Sequence, residues 1–97
     1  MIIHLFGSTT PSGKAFKNII SSHGNKNIIE YSRKNKGSHY KYCDFNRPDE
    51  FTFIKESETS CIISFAPILL ISKFLNKISI RQPEFFCCVR KILICSS

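Results

Sequence analysis

The segment of this chain best suited to chemistry is Gly7-Ser8-Thr9-Thr10-Pro11-Ser12-Gly13. It follows the apolar run Ile2-Ile3-His4-Leu5-Phe6 and precedes a stretch of helical periodicity, so the expected order is strand, loop, helix. Such a junction aims free backbone N–H groups at an anion, and the helix dipole adds the equivalent of about half a positive charge. Gly7 lets the chain turn sharply off the strand, and Gly13 permits close packing of helix on sheet. A middle glycine is usual in dinucleotide loops, yet Thr10 and Pro11 stand there. A side chain at that point pushes a pyrophosphate outward, and Pro11 contributes no N–H. Hydroxyls of Ser8, Thr9, Thr10 and Ser12 offset part of the loss. The bland alternative is a polar turn with no ligand.

A second phosphate-loop reading competes. Ser8 to Ala15 approaches G-x-x-x-x-G-K-[ST], the loop that holds nucleoside triphosphates, through Gly13-Lys14. It departs at both ends, because Ser8 replaces the leading glycine and Ala15 replaces the hydroxyl that would bind Mg²⁺. This leaves a degenerate kinase or NTPase loop as the runner-up. Metal chemistry has less support: the five cysteines (Cys43, Cys61, Cys87, Cys88, Cys95) include no C-x-x-C pair, and His4, His23 and His39 are isolated. Three of the cysteines lie in apolar stretches and read as small buried hydrophobes in a reducing, cytoplasmic setting.

The elements that must position the loop come next. Ninety-seven residues with 42% hydrophobic content, including nine Phe, bound one small globular domain. After the strand at 2–6, Thr10-Pro11 opens a helix, with Ala15, Phe16, Ile19 and Ile20 as its apolar face and Gly24 or Asn25 as its stop. Further strands are expected at 27–31, 40–43, 61–65 and 89–95. A helix opened by Pro48-Asp49-Glu50 should bury Phe51, Ile54 and Phe53, and another should run from Ile68 to Lys77 until Gln82-Pro83 interrupts. The alternation implies βαβ units on a parallel sheet. The link of about eight residues between the second and third strands is short for a parallel crossover.

A net charge of +7 admits nucleic acid, an anionic membrane surface or a phosphate-bearing ligand. The basic residues are scattered and no run reaches five, so a solvated basic surface is expected over a dedicated nucleic-acid site. The apolar start is too short for a secretory lead, and Cys61 to Leu75, broken by Pro67 and Lys73, is too short for a membrane span.

Taken together, these motifs resemble the NAD(P)-dependent epimerase/dehydratase group, the extended and atypical short-chain dehydrogenases. Gly7 to Gly13 looks like their G-x-x-G-x-x-G loop with the middle glycine lost. Tyr42-Cys43-Asp44-Phe45, followed by Pro48, is similar to their third-strand segment, where the acid contacts the adenine amino group. Ser64-Phe65-Ala66-Pro67 sits where the family ends its fourth strand against ribose and pyrophosphate, and Val89 to Ser97 looks like the fifth strand leading to the catalytic serine, near Ser96 and Ser97. The resemblance implies an incomplete Rossmann-like α/β parallel sheet of about five strands. It also implies a dinucleotide cofactor, and a nucleotide-sugar or small carbonyl substrate in a full-length relative.

NAD binders place an acid at the exit of the second strand, whereas this chain has Ser32-Arg33-Lys34, which favours the 2′-phosphate of NADP. A solvated basic loop is the alternative. The family's Tyr-x-x-x-Lys pair is missing: Asn35, Asp44 and Asn46 follow Tyr31, Tyr40 and Tyr42 by four residues. The chain therefore reads as a front half, inactive alone. Its last strand should be a bare sheet edge with Phe85 and Phe86 poorly covered, open to self-association. A small basic interaction protein without cofactor is the third reading.

Overall fold

The computed structural model describes residues 1–22, 27–34, 40–54 and 58–95. Five strands, β1 (Ile2–Phe6), β2 (Ile28–Ser32), β3 (Tyr40–Tyr42), β4 (Ser60–Ser64) and β5 (Val89–Ile94), form one sheet in the order β3-β2-β1-β4-β5. Every neighbouring pair is parallel. This is the order of a Rossmann-like sheet through its fifth strand, with the connections diverging on either side of β1 and β4. Helix α1 (Pro11–Ser22) links β1 to β2, and helices α2 (Ile68–Arg81) and α3 (Pro83–Phe86) link β4 to β5.

Alternation along the two central strands splits the core. Ile3 and Leu5 of β1 join Cys61 and Ile63 of β4 in a small cluster under Phe16 and Ile20 of α1. Phe6 and Ile62 face the other way, into a larger cluster with Phe51, Phe53, Phe85 and the buried face of α2, Ile71, Phe74, Leu75 and Ile78. The four buried positions of α2 recur at i, i+3, i+4 and i+7, the spacing of a helix stripe. The aromatic side is tightly joined: Phe6 stacks on Tyr31 at 4.7 Å between ring centroids and Phe53 on Phe85 at 4.1 Å.

Several expectations need correction. On α1 only Phe16 and Ile20 face the sheet; Ala15 is exposed and Ile19 is 58% exposed, because Gly13, Phe16 and Ile20 share the inward face. The helix expected after Pro48 is a single 3-10 turn, Pro48–Glu50, and the chain is already extended at Phe51 (φ −108°, ψ 139°). Residues 51–54 alternate: Phe51 and Phe53 are buried, while Thr52 and Ile54 face outward. Gln82 explains this, since its side-chain amide acts as a strand partner, accepting the Phe53 N–H at 2.9 Å and donating to the Phe53 carbonyl at 3.2 Å. Phe85 is 2% exposed rather than uncovered, because α3 folds it onto Phe53 and His4.

Strand ends shift slightly: β2 includes Ser32, β3 stops at Tyr42, β4 starts at Ser60 and β5 stops at Ile94, while α2 continues to Arg81. Despite the short link, β2 and β3 pair in parallel, with Glu30 opposite Tyr40. Of the cysteines, Cys43 and Cys61 are buried and Cys87 is exposed. The proposed stop at Gly24 or Asn25 lies outside the described residues.

Candidate functional site

At the carboxyl ends of the strands, where the order reverses, the chain encloses a cavity of about 320 Å³. Ligands in open α/β sheets bind in this crevice. Its rim begins with the β1–α1 loop. Gly7 has φ +73°, and a Cβ there would come within 2.7 Å of the Ala66 amide nitrogen at the exit of β4. A Cβ on Gly13 would collide with the Gly7 carbonyl oxygen and lie 2.8 Å from the Ser8 Cα. Both positions of the glycine pair are thus fixed by backbone-to-backbone approach.

Thr10 occupies the middle position and caps α1. Its hydroxyl donates to the Gly7 carbonyl at 2.8 Å and accepts the Gly13 N–H at 3.1 Å. That hydroxyl proton is therefore not offered to a ligand, which corrects its expected donor role, although Thr10 does line the cavity. The Ser8 hydroxyl is buried with no hydrogen-bond partner among the described residues. Pro11, Ser12 and Gly13 already belong to the helix, so the stretch is not an extended six-residue phosphate wrap between Ser8 and Gly13. The triphosphate-loop reading loses its geometry as well as its Mg²⁺ hydroxyl.

The site residues fall into three groups. Gly7, Thr10, Arg33, Asp44, Phe45, Ala66 and Pro67 line the central cavity. Thr9, Ser32, Arg33 and Lys34 line a second cavity of about 310 Å³, closed by Tyr40, and Arg33 is common to both. Ser8, Ser12, Gly13 and Phe65 line neither. Phe65 points to the opposite side of the sheet, its ring 5.5 Å from that of Phe16. Ser96 and Ser97 lie outside the described residues.

Asp44 sits just past β3 with one carboxylate oxygen accepting the Asn46 N–H at 2.9 Å, a turn that sets its direction. Behind it, burial, assisted by the Asp44 carboxylate, pushes the Cys43 thiol up to about 12, so this cavity-lining sulfur is a neutral wall and not a nucleophile. Tyr31 completes the floor, and its hydroxyl shares a 2.7 Å hydrogen bond with Nδ1 of the fully buried His4. Burial, with Lys41 adding repulsion, lowers the His4 pKa to about 4. On the other face, Glu30 pairs with Lys17 of α1 at 2.8 Å, which accounts for an acid within β2 that does not reach the cavity.

Phe6, Tyr31, Cys43, Asn46 and Leu70 line the cavity without having been expected to form the site. Their common signal is position: each lies at or just past a strand's carboxyl end or in the first turn of α2. Among the described residues no group of three or more His, Cys, Asp or Glu is placed to hold a metal, and no helix is long and apolar enough to cross a membrane. Compared with known proteins, the chain matches no family model, no curated protein and no solved structure. The fold and site define an α/β protein with a Rossmann-like parallel sheet and a crevice at its reversal point.

Proposed function

We propose that the chain binds a nicotinamide adenine dinucleotide, NADP in preference to NAD. It would serve as the nucleotide-binding half of an epimerase/dehydratase-like or reductase-like protein of the cytoplasm. The observation that carries this reading is the pair Gly7 and Gly13, neither of which can accept a side chain, at the point where the sheet order reverses. A diphosphate held there would lie against the start of α1. Arg33, with Lys34 beside it, would meet the 2′-phosphate where the two cavities join. Asp44 would take the adenine amino group with Phe45 as an apolar wall.

The nicotinamide, when bound, supplies hydride transfer. No Tyr of this sequence is followed four residues later by Lys, so the chain itself lacks the proton-transfer pair of the resembled family. The substrate class implied by that family is a nucleotide-sugar or a small carbonyl, and without the pair this chain should show no turnover with either.

Calorimetric titration with NADPH, NADH and Mg-ATP at two salt concentrations tests the proposal. NADPH should bind about tenfold more tightly than NADH, and Arg33→Ala should erase that preference, as expected for one charge-assisted phosphate contact. Tighter binding of Mg-ATP would return the case to a triphosphate loop. Failure of all three ligands would leave a basic interaction protein.

A further inference from the structure

We infer that the groove between α2 and the segment following β3 is a second anion-binding subsite, suited to a phosphomonoester carried on a small ring. It adjoins the nucleotide cavity but does not depend on it. The groove encloses about 340 Å³ and shares Phe45, Asn46 and Leu70 with the central cavity. Its outer wall carries Lys73, Asn76 and Lys77 of α2, and no Asp or Glu lines it.

The two lysines stand one helical turn apart, where like charges repel. Helix α2 contains no acidic residue, and the ion pairs among the described residues are Met1–Glu58, Lys17–Glu30 and Arg47–Glu50. The third basic residue of the helix, Arg81, is committed to the carbonyls of Pro48 and Phe51. An external anion would supply their counter-charge.

Concavity separates this place from an ordinary solvated face. Phe45 forms one wall and is held by Phe6 and Phe74, with ring centroids at 5.9 and 5.1 Å. Its ring offers an apolar surface to a planar group, and the Asn46 and Asn76 amides add hydrogen-bonding capacity on opposite sides. Two ammonium groups and two amides match the charge and the oxygens of a phosphomonoester dianion, with Lys acting as a point charge. A volume of about 340 Å³ has room for a ring and one phosphate.

Phenyl phosphate is the probe, titrated into the full chain and followed by amide NMR, with phenol as the uncharged control and with NADPH present or absent. Amides of residues 45–46 and 73–77 should shift with phenyl phosphate and not with phenol. Lys73→Gln/Lys77→Gln should weaken that binding at least tenfold, Lys73→Arg/Lys77→Arg should retain it, and both variants should keep the parent's thermal midpoint and NADPH affinity. Shifts confined to residues 8–13, equal shifts with phenol, or unchanged affinity in the glutamine variant would each overturn the subsite. If NADPH fails to bind while residues 73–77 respond as described, the dinucleotide proposal falls and this one stands.

Discussion

At Gly13 an added methyl would press on the Gly7 carbonyl and on the Ser8 Cα, 2.8 Å away, both backbone atoms that cannot swing aside. Gly13→Ala should therefore cost about 3 kcal/mol, the upper range for overpacking. Gly7→Ala should cost at least about 1 kcal/mol for its left-handed φ of +73°, before the contact with Ala66 is counted. Urea midpoints at constant slope read both, and a change below about 0.5 kcal/mol in either would show that the loop yields. His4 supplies a pH signature. Unfolded, it takes up a proton near 6.5; folded, it resists until about 4. The unfolded state thus binds more protons across that window, so stability is full above 6.5, falls as pH drops towards 4, and levels below. The loss is about 3 kcal/mol at 1.4 kcal/mol per pH unit, and His4→Phe should flatten the slope by one proton between those limits. At this scale the glycines were legible because only one residue type suits their backbone. The Thr10 hydroxyl was misjudged because capping geometry, which takes both its bonds, depends on where the helix starts.

Elements were legible where periodicity was long and local. β1, α1 and α2 appear near their expected places because apolar spacing and the Thr10-Pro11 and Pro67 boundaries act within a few residues. The segment after Pro48 was misread because its conformation is decided 29 residues away, by Gln82. Acidic residues after a proline open a helix only if something continues it. Here Phe51 and Phe53 gain more by alternating into the aromatic cluster, with Gln82 supplying the strand partner that the sheet does not. Gln82→Ala should leave the part-buried Phe53 N–H and carbonyl unpaired and cost about 2 kcal/mol. It should also speed hydrogen exchange at the Phe53 amide while leaving β1 and β4 protected. Unchanged exchange at Phe53 would mean that the aromatic stack, not the amide pair, holds the segment.

For the whole molecule, strand order follows from pairing that no single stretch of sequence encodes, although right-handed βαβ crossovers leave few alternatives once five parallel strands are granted. The order places β3, only three residues long, at one edge and β5, with six, at the other. A three-residue edge offers little to a passing strand; a six-residue one offers a full row of N–H and carbonyl groups. Register makes β5 the greater liability. Leu93 aligns with Ile63 on the α1 side and Ile92 with Ile62 on the α2 side, and they are 43% and 44% exposed, so both faces of this edge are apolar. Arg90 and Lys91 at its start oppose a parallel copy, which would set like charges side by side; an antiparallel copy sets them against Ile94 and Cys95 instead. The chain should therefore self-associate through antiparallel β5 edges as concentration rises, and sedimentation velocity should show the average mass increasing. Leu93→Lys puts a charge within that edge and should return the protein to a monomer without lowering its urea midpoint by more than about 0.5 kcal/mol. If the variant associates as strongly as the parent, another surface carries the contact, and the exposed apolar residues at the start of α2, Leu69 foremost at 76%, are the next to substitute.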